Sequence, residues 1–127
     1  MIKHDQYIYI SSPLSGNIKR NLRNAVAFAR YVFKECGAAP VVPHFYAQVL
    51  NDNDPAERKL ALEADMSLLY LCQEVWVFGN YRTEGMKEEI KRAHILNIPV
   101  RVFGKKKVRK ILRKYGGNND KRKQQIH

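Results

Sequence analysis

Four short apolar runs, separated by stretches of helical spacing, restrict this chain to one class of fold. The runs are Tyr7-Ile8-Tyr9-Ile10, Pro40-Val41-Val42, Val75-Trp76-Val77-Phe78 and Ile98-Pro99-Val100-Arg101-Val102-Phe103. A short, continuous apolar run bounded by turn formers is what a strand buried on both faces requires. After the first run, apolar residues recur at Ile18, Leu22, Ala25, Ala29, Val32 and Cys36, which predicts an amphipathic helix closed by Gly37. Asp54 is placed as an N-cap, Pro55 as the first helical residue and Glu57 as its capping partner, for a helix reaching about Cys72. A third helix is predicted from about Glu84 to Leu96, and Pro99 puts the last strand at an edge. Strands alternating with helices through short loops imply an α/β, flavodoxin-like three-layer sandwich with a four- to five-stranded parallel sheet. Ligands of such sheets bind beyond the C-terminal strand ends, where the winding reverses. That brings together the loops 11–17, 43–54 and 79–83.

With 127 residues and 45% hydrophobic composition, the chain has material for one core. No run approaches the roughly 20 apolar residues of a membrane span, and Met1-Ile2-Lys3-His4-Asp5 lacks a signal peptide's apolar stretch, so no membrane association and a cytoplasmic location are expected. Cys36 and Cys72 stand apart, without metal-ligand spacing, and are expected to be buried free thiols. The net charge of +11 is unevenly spread. Residues 1–100 hold 12 Lys and Arg against 11 Asp and Glu, whereas residues 101–127 hold 11 against Asp120 alone. The chain therefore divides into a globular part, 1–104, and a basic helix and tail, 105–127, with Val108, Ile111 and Leu112 at helical spacing. Its last ten or so residues are expected to be disordered.

Two carboxylates occupy positions where their helices would otherwise carry apolar residues. Asp65 has Ala61 and Leu62 one turn before it and Leu68 and Leu69 one turn after, inside the expected buried stripe. Glu89 follows Met86 by three residues and precedes Ala93 by four, while Glu88 groups with Glu84, Lys91 and Arg92 on a solvated face. Burying an unpaired carboxylate costs roughly several kcal/mol, so such residues persist with partners or with a task. The bland alternative gives Asp65 backbone N–H partners and pairs Glu89 with an arginine such as Arg82 or Arg23. The functional alternative makes a desolvated Glu a nucleophile at a sugar and the second acid the manager of a departing base's proton.

The first loop carries Ser11, Ser12, Ser15 and Gly16 ahead of a helix whose free N–H groups favour an anion, so a phosphate or carboxylate fits there; a plain capping turn reads equally well. His44 and Tyr9 are candidates for the pocket wall, against ordinary roles in packing.

Taken together, Tyr9-Ile10-Ser11-Ser12-Pro13, Pro43-His44, Asp65 with Leu68-Leu69, Val75-Trp76-Val77 and Gly85-Met86-Lys87-Glu88-Glu89-Ile90 with Ala93 resemble the nucleoside 2-deoxyribosyltransferase-like superfamily, over roughly residues 7–103. The pattern looks closest to a branch common in phages and mobile elements. The resemblance implies that Glu89 attacks the anomeric carbon, that Tyr9 orients it, and that Asp65 contacts base or sugar. It implies that the loop Ser12 to Gly16 faces the sugar or a 5′-phosphate, with Gly79, Thr83, Gly85 and Met86 also at the substrate, and that subunits associate as homo-oligomers. It calls for no metal and no cofactor. Where the transferases often carry an aspartate two residues before the glycine, this chain has Thr83.

Three functions follow as expectations. The first is cleavage or transfer at the N-glycosidic bond of a nucleoside or nucleoside 5′-monophosphate. The second is a non-catalytic binder of a nucleotide-derived ligand. The third is nucleic-acid binding through 105–127, whose roughly ten positive charges would make affinity salt-dependent.

Overall fold

The structure is a computed structural model that describes residues 2–3 and 6–117. The disorder expected at the C-terminus falls on 118–127, outside the described residues. The chain runs β1 (Tyr7–Ser11), α1 (Ile18–Tyr31) with a π-helical end (Val32–Cys36), β2 (Ala39–Val41), a 3-10 helix (Pro43–Gln48), α2 (Pro55–Leu69), β3 (Glu74–Phe78), α3 (Glu84–Ile95), β4 (Val100–Phe103) and α4 (Lys105–Tyr115). The strands form one sheet in the order β2-β1-β3-β4, every pairing parallel. This is the expected α/β architecture with four strands, and β4 lies at an edge as Pro99 indicated. The winding reverses between β1 and β3, which opens the crevice beyond their C-terminal ends.

Strand alternation divides the core in two. Ile8, Ile10, Trp76 and Phe78 point to one side, where α1 and α4 cover them with Phe28, Tyr31, Val32, Ile111 and Tyr115. Tyr9, Val75 and Val77 point to the other and meet Leu69, Cys72, Met86 and Ala93 of the α2–α3 side. On the first side Phe78 lies flat between Phe28 and Phe103, with ring centroids 4.3 and 4.8 Å away.

Three expectations shift. The buried face of α1 runs through Asn21, Ala25, Phe28 and Val32, while Ile18 is 44% exposed. The stripe is thus turned by about one residue, because Asn21 is drawn inward: its Nδ2 donates to the carbonyls of Leu14 (3.0 Å) and Ser15 (3.1 Å) and fastens loop 11–17 to the helix. Glu57 accepts from the amide of Asn51 at 2.7 Å instead of closing a box onto Asp54, whose own N–H goes to the Asn51 carbonyl at 3.1 Å. The Asp54 carboxylate does cap α2, accepting from the Ala56 amide at 2.9 Å. Both cysteines are free, but only Cys72 is buried; Cys36 is half-buried. Gly37 ends the first helix in the left-handed region, φ 62°, as its position suggested. Replacing Asn21 by Ala removes the donor from two loop carbonyls, and a loss of about 1–2 kcal/mol is expected. The denaturant midpoint of the variant checks it.

No helix among the described residues is long and apolar enough to cross a membrane.

Candidate active site

Glu89 projects from the inner face of α3 between Met86 and Ala93 and is 8% exposed. Its carboxylate is gripped on both oxygens from β1. The Tyr9 hydroxyl donates to Oε2 at 2.5 Å and the Ser11 hydroxyl to Oε1 at 2.8 Å. Residues 9 and 11 reach the same carboxylate because alternate residues of a strand share a face. Glu89 is raised to about 7 in all: burial pushes it up, the two hydroxyl bonds oppose that, and the Asp65 carboxylate adds a smaller upward push. Burial, and then the Glu89 charge, raise the Tyr9 hydroxyl well above its ordinary value, so it stays a proton donor. Among the described residues no arginine shares this arrangement: Arg82 donates to the carbonyls of Gly79 (2.5 Å) and Tyr81 (3.2 Å), and Arg23 is exposed. Replacing Tyr9 by Phe removes one bond that favours the charged carboxylate. The Glu89 titration midpoint is expected to rise, read by carbon NMR of the labelled carboxyl.

Asp65 comes from α2 and lines the same cavity, of about 110 Å3. Its Oδ1 is buried with no hydrogen-bond partner, so the backbone partners of the bland alternative do not reach that oxygen. Burial, then the neighbouring Asp52 charge, push Asp65 up to about 7.

His44, on the 3-10 helix, is 4% exposed, and its Nε2 lies 2.9 Å from the Ser12 carbonyl and 3.0 Å from the Ser12 hydroxyl. A carbonyl oxygen only accepts, which assigns the ring proton to Nε2. Nδ1 is then a bare acceptor, and it is buried without a partner. Burial lowers the imidazole pKa, against the opposing pull of the Ser12 carbonyl, so the ring is neutral near pH 7.

Ser12, Ser15, Thr83, Gly85 and Met86 join His44, Asp65 and Glu89 in the cavity wall. The Thr83 hydroxyl caps α3, accepting from the Met86 amide at 3.2 Å. A Cβ at Gly85 would meet the protein no closer than 3.9 Å, at that hydroxyl, so packing does not demand glycine there. Tyr9 and Ser11 reach the cavity only through Glu89; they do not form its wall. Gly16 and Gly79 are likewise absent from the wall: both turn the chain in the left-handed region, φ 95° and 96°, and Gly16 borders a second groove beside α1. Arg58 also lines the cavity, with Ala61 and Leu62, and was missed by sequence reasoning. Its signal was present: 58, 61, 62 and 65 are successive members of one helical face.

The family model described as "Domain of unknown function (DUF7768)" matches residues 6–103. Solved structures similar to this chain include a 2-deoxyribosyltransferase from the psychrotolerant bacterium Bacillus psychrosaccharolyticus. It is 22% identical with a TM-score of 0.61, over 77% of this chain and 72% of that one. At this identity the likeness speaks for the fold, the same α/β arrangement. No curated protein matches the chain.

Proposed function

The chain belongs to the DUF7768 family, whose description states no activity, so its chemistry has to be read from its own pocket; from that pocket we propose an enzyme that cleaves or exchanges the N-glycosidic bond of a nucleoside or nucleoside 5′-monophosphate. The observation that carries this reading is Glu89, desolvated, unpaired with any cation among the described residues and held on both oxygens by Tyr9 and Ser11, beside a second carboxyl with a free buried oxygen. The 2-deoxyribosyltransferase fold of the neighbour supports it.

In this reading a Glu89 oxygen attacks the anomeric carbon, and the carbon–nitrogen bond breaks with its electron pair leaving on the base. Protonated Asp65 supplies the proton that the base needs. A water molecule, or a second base, then displaces Glu89 from the sugar, and ionised Asp65 takes the proton released. The bare His44 Nδ1 accepts from a donor group of the ligand. Arg58 and the serines of the first loop face a 5′-phosphate where one is present. With Thr83 in place of a second acid, handling of the base falls to Asp65. The molecule acts as a homo-oligomer, for which the exposed Leu60, Tyr70 and Leu71, at 55%, 65% and 63%, offer apolar surface.

Purified protein mixed with deoxynucleosides and deoxynucleoside monophosphates, with free base followed by chromatography, tests the proposal. Since Glu89 must be ionised and Asp65 protonated, and both titrate at about 7, release is expected to peak near pH 7 and fall on either side. Thr83, standing where the transferases often carry an aspartate, favours a second reading, a binder without turnover. Calorimetric binding of these ligands with no base released would select it.

A further inference from the structure

The sheet separates two helical layers of very different charge. α1, its π-helical end and α4 carry Lys19, Arg20, Arg23, Arg30 and Lys34 together with seven Lys and Arg between 105 and 114, against the single acid Glu35. On α2 and α3, five cations (Arg58, Lys59, Lys87, Lys91, Arg92) meet six acids (Glu57, Glu63, Asp65, Glu84, Glu88, Glu89). The positive charge is therefore a property of one face of the folded domain, to which α1 contributes as well as the C-terminal segment.

We infer that the α1–α4 layer binds a single strand of nucleic acid. All seven α4 cations are exposed, as are Lys19, Arg20, Arg23 and Lys34. Among the described residues of this layer, Lys114 forms a salt bridge to Glu35 at 3.3 Å. Lys107 lies over the Tyr31 ring at 5.1 Å, and Arg30 donates to the Tyr115 carbonyl at 3.0 Å. The apolar residues of α4 all turn inward, Ile111 and Tyr115 buried and Val108 and Leu112 packed on the same cluster. The helix thus offers no stripe for insertion into a bilayer and no apolar centre of the kind protein interfaces use. α1 and its π-helical end add Ile18, Val26 and Phe33, 44–48% exposed, beside their own cations, but α4 presents a dense field of cations alone, which suits a regular polyanion.

The groove between the start of α1 and α4 makes a single strand the better fit. It has a volume of about 470 Å3 and is lined by Arg20, Asn24, Tyr81, Val108 and Leu112. Tyr81 is 70% exposed and presents a ring on which an unpaired base can stack, beside cations that meet the phosphates. The inference does not depend on the chemistry of the Glu89 pocket.

Fluorescence anisotropy of labelled oligothymidylate with the full chain tests it, alongside a duplex and vesicles of phosphatidylserine. The variants are Arg20→Glu with Arg23→Glu, Lys106→Glu with Lys110→Glu, and Tyr81→Ala, each confirmed as folded by circular dichroism. The wild type is expected to bind the strand more tightly than the duplex, with affinity falling as salt rises. Each double variant should weaken binding about tenfold or more and flatten the log–log salt slope by about 1.4, because two phosphates of the strand are no longer neutralised. Tyr81→Ala should weaken it about tenfold at unchanged slope. Unaltered affinity of the Arg20/Arg23 variant overturns the inference, since binding would then belong to the C-terminal segment alone. Preference for duplex or for vesicles over the strand overturns it as well.

Discussion

Glu89→Gln is expected to abolish base release, by about a thousandfold or more, and at the same time to make the protein more stable above pH 7. The first effect follows from the proposed chemistry, because an amide cannot form the glycosyl ester. The second follows from burial. The carboxyl titrates at about 7 in the folded protein, against an ordinary value of 4.5. Between those limits the folded state binds more protons than the unfolded chain, so stability falls as pH rises through this window. Above pH 7 the cost of the buried charge is complete, about 3 kcal/mol at 1.36 kcal/mol per pH unit. Gln never carries that charge, and its amide can still accept from one hydroxyl and donate to the other. Denaturant midpoints of variant and wild type should therefore diverge at pH 8 and converge near pH 4. A difference that does not change with pH would refute the buried, upshifted carboxyl, whatever the activity assay shows.

Phe78→Ala is expected to give the largest loss of stability, about 3–5 kcal/mol from transfer and cavity effects together. Phe78 is 2% exposed, and its ring is stacked on both sides, by Phe28 with planes 9° apart and by Phe103 with planes 5° apart. Each aromatic pair adds about 0.5–1.5 kcal/mol beyond the area buried, so the upper end of the range is the better expectation. Domains of this size hold about 5–15 kcal/mol in total. The thermal midpoint should fall by roughly 15 °C or more. Phe78 belongs to the α1–α4 side of the sheet, away from Glu89, so activity should survive in the molecules that remain folded at low temperature. Scanning calorimetry and a cold activity assay separate this variant from Glu89→Gln, which fails in the opposite way.

The strands, the edge place of β4 and the parallel winding were legible because apolar runs, turn formers and Pro99 are local signals. Glu89 was legible too, as the one charged residue in line with Met86 and Ala93. The Tyr9 half of the clamp on it followed from the family resemblance, whereas the Ser11 half did not, because sequence does not say which face of β1 meets α3. Tyr9 and Ser11 alternate correctly, but so do Ile8 and Ile10, and only the crossover decides between the pairs. The face of α1 was misjudged because an apolar count cannot foresee that Asn21 is drawn inward by two loop carbonyls. The demand His44 makes on a ligand was hidden for a similar reason. Its bare nitrogen follows from a contact with Ser12, 32 residues away in the chain.

The grip of Tyr9 and Ser11 on Glu89 has a consequence for how such a pocket can change over time. Two hydroxyls on alternate residues of a central strand keep their direction as long as the sheet keeps its register, so the support behind Glu89 is tied to strand pairing. The opposite wall, made by the 3-10 helix and the first turns of α2, has no such tie to strand pairing. Relatives with new ligand preferences should differ between residues 43 and 62 while positions 9, 11 and 89 stay as they are.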